Sequence, residues 1–186
     1  MRKWLLISFC LIVFSIVLIG YDANTNKNQL KLIRNHHPES SMSGRGLDYD
    51  IENIKKGKYE VNFYAKEYEK GKFVKEYRLY NLTLDIDSKN KKIPISIYQE
   101  DKNIKLFIES NYQDITLDFF EDSDMGIALS GIEAEKLLKL NTDIPIAIYS
   151  IAGEDKLVSS VDMDVDYELG SNEKDLVIFM KVIQNN

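Results

Sequence analysis

Tyr59-Glu60-Val61-Asn62-Phe63-Tyr64-Ala65 alternates apolar and polar residues, and so does Tyr80-Asn81-Leu82-Thr83-Leu84-Asp85-Ile86. This alternation is typical of a β-strand that buries one face. Between the two segments, Lys70-Gly71 is predicted to be a two-residue hairpin loop, because Gly supplies the positive φ that such a loop needs. The loop opposes Val61 to Tyr80, so the two apolar faces coincide, whereas a slip of one residue would expose one of them.

The same alternation recurs along the chain and predicts four further hairpins whose apolar faces agree across a turn. About nine antiparallel strands do not stay in one flat sheet, so the sequence predicts an all-β antiparallel β-sandwich instead of a closed barrel. An immunoglobulin-like sandwich is one form of this architecture. The four predicted face pairs are Ile93, Ile95 and Ile97 with Ile104, Leu106 and Ile108; Ile115, Leu117 and Phe119 with Ile127 and Leu129; Ile144, Ile146 and Ile148 with Val161, Met163 and Val165; and these last three with Val182, Met180 and Ile178.

One short helix is predicted from Gly131 to Leu140. Ser130 and Glu133 have the Ser-x-x-Glu spacing of a capping box at a helix N-terminus. Lys136 and Lys139 lie where the helix dipole favours positive charge.

The N-terminal stretch predicts the location of the protein. Arg2 and Lys3 precede seventeen uncharged residues, Trp4 to Gly20, which as a helix would cover roughly 25 Å. Residues 1–21 are therefore predicted to be a transmembrane signal-anchor or a signal peptide. We expect a cytoplasmic N-terminus, a span through residues 4–20 and an extracytoplasmic remainder at the cell membrane, or a secreted chain if the signal is cleaved.

Leu18-Ile19-Gly20 and the Asn-rich residues after Asp22 resemble the lipobox and tether of Gram-positive bacterial lipoproteins. That family attaches its lipid to a Cys directly after the Gly. Tyr21 stands there in this chain and has no thiol, so the resemblance implies an exported protein without this lipid. Retention of the apolar segment as an anchor is the favoured interpretation, with cleavage as the alternative.

Residues 22–56 are predicted to be a flexible tether and residues 57–186 the extracytoplasmic β domain. Pro38 and the Ser- and Gly-rich residues 40–46 disfavour a long regular element. Leu47, Ile51 and Ile54 are interpreted as a short turn that docks on the domain. His36 and His37 are the two histidines of the chain, and they are interpreted as a solvated pair.

Charge and composition exclude several functions. The net charge is −6, which disfavours nucleic acid and anionic lipid as partners. The lone Cys10 lies in the apolar segment, so the domain has no disulfide. No Gly-x-Ser-x-Gly motif occurs and both histidines lie in the predicted tether, so no catalytic residue is assigned and the chain is not expected to be an enzyme.

Residues 162–173 resemble the calcium loop of the EF-hand family. Asp162, Asp164 and Asp166 take positions one, three and five, and Glu173 takes position twelve. Position six, which is Gly in that family, is Tyr167 here. The favoured alternative places the three aspartates on the solvent face of a strand, about 6.6 Å apart. The one cofactor considered is thus calcium, with Asp162, Asp164, Asp166 and Glu173 as its candidate ligands.

Tyrosine provides the second candidate site. The predicted register places Tyr64 opposite Tyr77 on the outer face of the first hairpin, with Tyr68 further along. Such pairs stabilise a sheet, and exposed together they also suit a sugar ring or a protein partner. The sequence therefore favours a membrane-tethered domain that binds a protein or a cell-wall component, with a calcium or small-ligand module as the alternative and an enzyme as the second alternative.

Overall fold

The computed structural model describes residues 29–35, 46–88, 91–121, 126–153 and 172–185, together with Val158, Met163 and Leu169. In this part of the chain the fold is all-β, with eleven strands in two antiparallel sheets. The prediction of an all-β antiparallel sandwich is thus confirmed at this level. The strands, numbered in chain order, are β1 (Lys31–Asn35), β2 (Gly46–Ile54), β3 (Gly57–Glu69), β4 (Lys72–Ile86), β5 (Lys91–Glu100), β6 (Asn103–Ile108), β7 (Asn111–Thr116), β8 (Ile127–Gly131), β9 (Glu135–Leu137), β10 (Asp143–Ile151) and β11 (Lys174–Asn185).

The two sheets, here named A and B, differ in strand order. Sheet A has the order β7-β6-β5-β2-β1-β9 and sheet B the order β4-β3-β11-β10-β8. A short 3₁₀ helix, Asp118–Phe120, lies between β7 and β8 in the chain. The inner faces of both sheets contribute to one core, in which β3 buries alternate residues as its sequence pattern predicts.

The first hairpin has the predicted loop but a different register. Glu69 lies opposite Lys72, as the loop at Lys70-Gly71 requires, yet Val61 lies opposite Leu82 and not Tyr80. Two β-bulges in β4 explain the shift, because each inserts one extra residue. Because two inserted residues return the side chains of β4 to their original faces, the predicted apolar face of β3 is correct. The residues predicted to lie opposite it are not.

The hairpin of β5 and β6 is confirmed. Ile97 lies opposite Leu106 and Ile95 opposite Ile108, while Glu100 pairs with Asn103 at the turn. Asp101 supplies the positive φ of that turn.

The other three predicted hairpins are wrong. β7 pairs with β6 in sheet A and β8 with β10 in sheet B, so Ile115 and Ile127 belong to different sheets. β10 has β8 and β11 on its two edges, and β11 has β10 and β3. Both edges are occupied at Ile148 of β10 and at Ile178 and Met180 of β11, which leaves no place for the pairs predicted there, because a strand accepts one neighbour on each side. Of residues 161–165 themselves, only Met163 is described.

The predicted helix from Gly131 to Leu140 is also wrong. Gly131 ends β8, and Glu135–Leu137 forms β9, which pairs with β1 at the edge of sheet A. A capping-box spacing is a local signal, and here long-range pairing overrides it. The ion pair of Lys31 with Glu135, 3.0 Å, lies between the two paired strands.

The predicted domain boundary at residue 57 needs correction, because β1 and β2 lie within the predicted tether of residues 22–56. β2 is an interior strand of sheet A, between β5 and β1. Leu47, Ile51 and Ile54 are core residues of that strand and not a docked turn. Residues 22–28 and 36–45 lie outside the described part.

The predicted signal-anchor of residues 1–21 also lies outside the described residues. Within the described ranges, no helix is long and apolar enough to span a membrane.

Candidate functional site

The predicted pair of Tyr64 and Tyr77 is not formed. Tyr64 lies opposite Arg78, and Tyr77 lies opposite Ala65. The first bulge of β4 inserts one residue at Val74 and so turns Tyr77 towards the inner side of the sheet. The three tyrosines therefore do not form one surface.

Tyr77 packs against the core, and its contacts are structural. Its hydroxyl donates to a carboxylate oxygen of Glu67 at 2.5 Å, and Glu67 is buried. Burial and this hydrogen bond raise the pKa of Tyr77. Lys75 lies 4.5 Å from the centre of the Tyr77 ring and forms an ion pair with Asp118 at 3.0 Å. These contacts join β4 to the 3₁₀ helix that follows β7.

Tyr64 and Tyr68 do lie together, on the outer face of sheet B. Tyr64 stacks on Phe179 with ring centres 5.2 Å apart, and Tyr68 meets Phe73 edge-on at 6.0 Å. They flank a second, smaller apolar cluster on this face. Its members are Ile148, Met163, Val177 and Phe179, with Tyr64, Tyr68 and Leu169 packed against them.

Three of the four predicted calcium ligands, Asp162, Asp164 and Asp166, lie outside the described residues, so the calcium site stays a prediction. The carboxylate of Glu173 forms an ion pair with Lys70 at 3.0 Å, and its backbone bonds to Lys70 and Ile151. Within the described residues there is no group of three or more His, Cys, Asp or Glu side chains that could hold a metal.

A cleft opens where the edge strand of sheet B, β4, lies beside the edge strand of sheet A, β7. Its volume is about 560 Å³, within the range of roughly 300–1,000 Å³ that is usual for small-molecule sites. We call it the edge cleft. It is lined by Glu60, Asn62, Phe63, Tyr64, Glu76, Arg78, Leu79, Tyr80, Asn81 and Gln113.

The second bulge of β4 forms one wall of the edge cleft. Leu79 is the inserted residue, between the pairs Tyr64–Arg78 and Phe63–Tyr80, and its side chain is buried in the core. An insertion bends its strand and re-aims the residues beside it. Arg78 and Tyr80 therefore flank the bend, while Gln113 of β7 reaches the cleft from sheet A.

The chemistry of the edge cleft is polar and mixed. Arg78 is exposed and makes no ion pair with any described residue. Asn81 donates to a carboxylate oxygen of Glu60 at 2.8 Å. Burial is the main cause that raises the pKa of the Tyr64 phenol, and a hydrogen bond to Asp143 raises it further. The cleft thus combines one guanidinium with two carboxylates, three amides and two phenols, and the guanidinium suits an anionic group of a polar ligand.

Sequence reasoning placed Tyr64 in a binding surface but missed the other lining residues. Arg78 offered a signal, because arginine is rare in this lysine-rich chain. Gln113 offered none, since its place depends on β4 and β7 meeting across two sheets. The chain matches no protein-family model, no curated protein and no solved structure, so geometry alone supports the site.

Proposed function

We propose that the chain is a membrane-tethered extracytoplasmic domain that binds a cell-wall component in the edge cleft. The apolar residues 4–20 supply the membrane anchor, with the N-terminus in the cytoplasm, and the sandwich holds the ligand outside. The observation that carries the proposal is the guanidinium of Arg78, which makes no ion pair with a described residue and lies among amides, phenols and carboxylates in a cleft of about 560 Å³.

The size of the cleft favours a wall component over a protein partner. A stable protein interface needs about 800 Å² on each side, whereas a cleft of this volume encloses a small ligand or part of a polymer. Arg78 suits a carboxylate or phosphate group of that ligand, because a guanidinium presents paired donors to such groups.

The proposed role is binding without catalysis. None of the ten residues that line the cleft is a Ser, Cys or His. Glu60 and Glu76 are the carboxylates present, and Glu60 accepts a hydrogen bond from Asn81. The immunoglobulin-like form of the sandwich and the calcium loop of residues 162–173 stay predictions beside this proposal.

The test is co-sedimentation of the full-length protein in detergent with insoluble cell-wall sacculi from a Gram-positive bacterium. Arg78→Ala is expected to weaken binding at least tenfold, because it removes the anion-binding group. Lys72→Ala is the matched control, since Lys72 is an exposed cation of the same strand that does not line the cleft.

Arg78→Lys separates charge from geometry. It keeps the positive charge but loses the paired donors, so partial binding is expected. Equal binding by the wild type and Arg78→Ala, or an equal loss in Lys72→Ala, would contradict a role for the edge cleft.

A further inference from the structure

Three aromatic rings form a row across the outer face of sheet A. Tyr98 on β5 meets Phe107 on β6 with ring centres 5.7 Å apart, and Phe107 meets Tyr112 on β7 at 4.7 Å. Phe107 and Tyr112 are direct cross-strand partners, and Tyr98 lies diagonal to Phe107. We call these three residues the aromatic row.

The two tyrosines of the aromatic row are held in place. The Tyr98 hydroxyl donates to Asp48 at 2.9 Å, and that carboxylate also accepts from Ser96 at 2.6 Å. The Tyr112 hydroxyl donates to Asp114 at 2.9 Å. Fixed rings lose little conformational freedom when a ligand binds, so the row is pre-organised for contact.

Gly46 allows Tyr98 to lie flat against the sheet. A Cβ at this position would lie 2.2 Å from Cδ1 of the Tyr98 ring. No side chain larger than hydrogen fits without moving the ring. The close approach of β2 to Tyr98 therefore depends on glycine at residue 46.

Exposure increases along the aromatic row towards the edge of the sheet. Tyr98 is 9% exposed, Phe107 40% and Tyr112 48%. A Phe or Tyr side chain has an area of about 150–250 Å², so the last two rings each present on the order of 100 Å². That is far below the roughly 800 Å² that one side of a stable protein interface buries, so the occupant is narrow.

The net charge of the chain and the polar side chains beside the aromatic row favour one class of narrow ligand. The chain carries a net charge of −6, which disfavours a single-stranded nucleic acid on these rings. Lys105 and Asp114 are cross-strand partners directly beside the row. A sugar ring combines an apolar C–H face with hydroxyl groups around its rim, and it fits rings that are flanked by polar side chains.

We propose that the aromatic row binds a neutral saccharide chain, with Phe107 and Tyr112 stacking on its sugar rings and Lys105 and Asp114 bonding its hydroxyls. The row ends at Tyr112, and the next residue, Gln113, lines the edge cleft. This surface is separate from the cleft, so either proposal stands without the other. A chain that follows the row reaches the strand at which the cleft begins.

The test is calorimetric titration of the full-length protein with a linear hexamer of β-1,4-linked N-acetylglucosamine, a soluble neutral probe. Phe107→Ala and Tyr112→Ala are each expected to lower the affinity at least tenfold. Tyr112→Phe keeps the ring and is expected to bind within twofold of the wild type. Phe73→Ala, which removes an aromatic ring that is 58% exposed elsewhere, is expected to leave the affinity unchanged.

A thermal melt of each variant shows whether it is folded. Because Tyr112 lies on an edge strand, Tyr112→Ala decides the test even if Phe107→Ala destabilises sheet A. The proposal is overturned if the wild type gives no heat with the hexamer, or if Tyr112→Ala binds it as tightly as the wild type. It is also overturned if choline binds in place of the hexamer and is lost in the same variants, since that would make the row a cation site.

Discussion

Tyr49 and Tyr149 are both fully buried in the core, but their hydroxyl groups differ in hydrogen bonding. The Tyr49 hydroxyl donates to the carbonyl of Ile146 at 2.7 Å and accepts from the amide of Ile132 at 3.1 Å. Ile146 sits at a bulge of β10, so Tyr49 links β2 of sheet A to an irregular point in sheet B. The Tyr149 hydroxyl has no hydrogen-bond partner among the described residues.

This difference predicts opposite effects of the same substitution. Tyr49→Phe leaves a buried carbonyl and a buried amide without their partner, and it is expected to lower the free energy of unfolding by about 1–3 kcal/mol. Tyr149→Phe removes an unsatisfied hydroxyl, and it is expected to be neutral or to stabilise by about 1 kcal/mol. Denaturation in urea measures both. A larger loss for Tyr149→Phe than for Tyr49→Phe would contradict the hydrogen-bond assignment.

The buried phenols also predict a loss of stability at high pH. Burial raises the pKa of Tyr149, and burial with a hydrogen bond to a carboxylate raises the pKa of Tyr64 and of Tyr77. The unfolded chain therefore loses these protons at about pH 10 while the fold retains them. The stability that the fold gains by keeping these three phenols protonated is complete below pH 10. It is lost as the pH rises through the pKa values of the phenols in the folded state.

Urea denaturation at pH 8 and at pH 11 checks this dependence. We expect a lower free energy of unfolding at pH 11, and a smaller difference between the two pH values in Tyr149→Phe. An equal free energy of unfolding at pH 8 and at pH 11 would contradict the raised pKa values of these tyrosines.

At the scale of elements, the loop of the first hairpin is a place where sequence reasoning succeeded. Lys70 and Gly71 both have positive φ, 47° and 76°, as a type I′ turn requires. The loop position followed from Gly71 and the alternation on either side of it. The two bulges of β4 did not follow, because an extra residue leaves local alternation almost unchanged.

The loop predicts two substitutions of opposite sign. Lys70→Asn is expected to recover part of the roughly 1–2 kcal/mol that left-handed backbone costs most residues, because Asn tolerates it. Gly71→Ala is expected to cost about 1 kcal/mol or more. Thermal unfolding measures both changes. Lys70→Gln is the control for the exposed ion pair with Glu173, which is worth little, and equal stabilisation in that variant would show that φ is not the cause.

Strand faces could be predicted from the sequence, whereas strand partners could not. Alternation identified Ile104, Leu106 and Ile108 as one buried face, and the short turn before them identified their partner. Ile115 and Ile127 show the same alternation, but they pair with strands of different sheets. Only the competition of all strands for a limited number of edges decides such pairings.

The alternation typical of a strand is present in β2, in Leu47-Asp48-Tyr49-Asp50-Ile51, and the prediction of a tether overlooks it. Asp48 and Asp50 are buried beside its apolar residues, which a simple alternation pattern does not predict. Asp48 accepts from Ser96 and Tyr98, and Asp50 accepts from Asn35 at 2.7 Å. These partners satisfy the carboxylates but lie on other strands, so the local sequence gives no sign of them.

At the scale of the whole molecule, the position of β1 and β2 predicts the smallest chain that folds. A chain that begins at residue 57 loses both strands, which leaves β5 without β2 and exposes Ile93 and Ile95. It is expected to be unfolded or aggregated, whereas a chain that begins at residue 29 is expected to melt cooperatively. Amide NMR dispersion and circular dichroism compare the two chains. A well-dispersed spectrum from residues 57–186 alone would restore the predicted boundary.

The edge cleft likewise depends on the arrangement of the whole molecule. Tyr64 could be named from the sequence because it lies on a strongly patterned strand. Arg78 and Gln113 line the same cleft only because the edges of two sheets meet, and no local signal carries that information. The aromatic row is similar, since Tyr98, Phe107 and Tyr112 come from three strands whose register sets their spacing.

The place of β11 in sheet B has a consequence for synthesis. β11 is the last strand in chain order, yet it lies in the interior of its sheet, between β3 and β10. While the chain is being translated, β3 and β10 cannot be bridged until this strand leaves the ribosome. Pairing of such distant segments is slow and exposes apolar strands in the meantime. Sheet B of the nascent chain therefore cannot be completed until β11 has been translated, whereas all six strands of sheet A precede β11 in the chain.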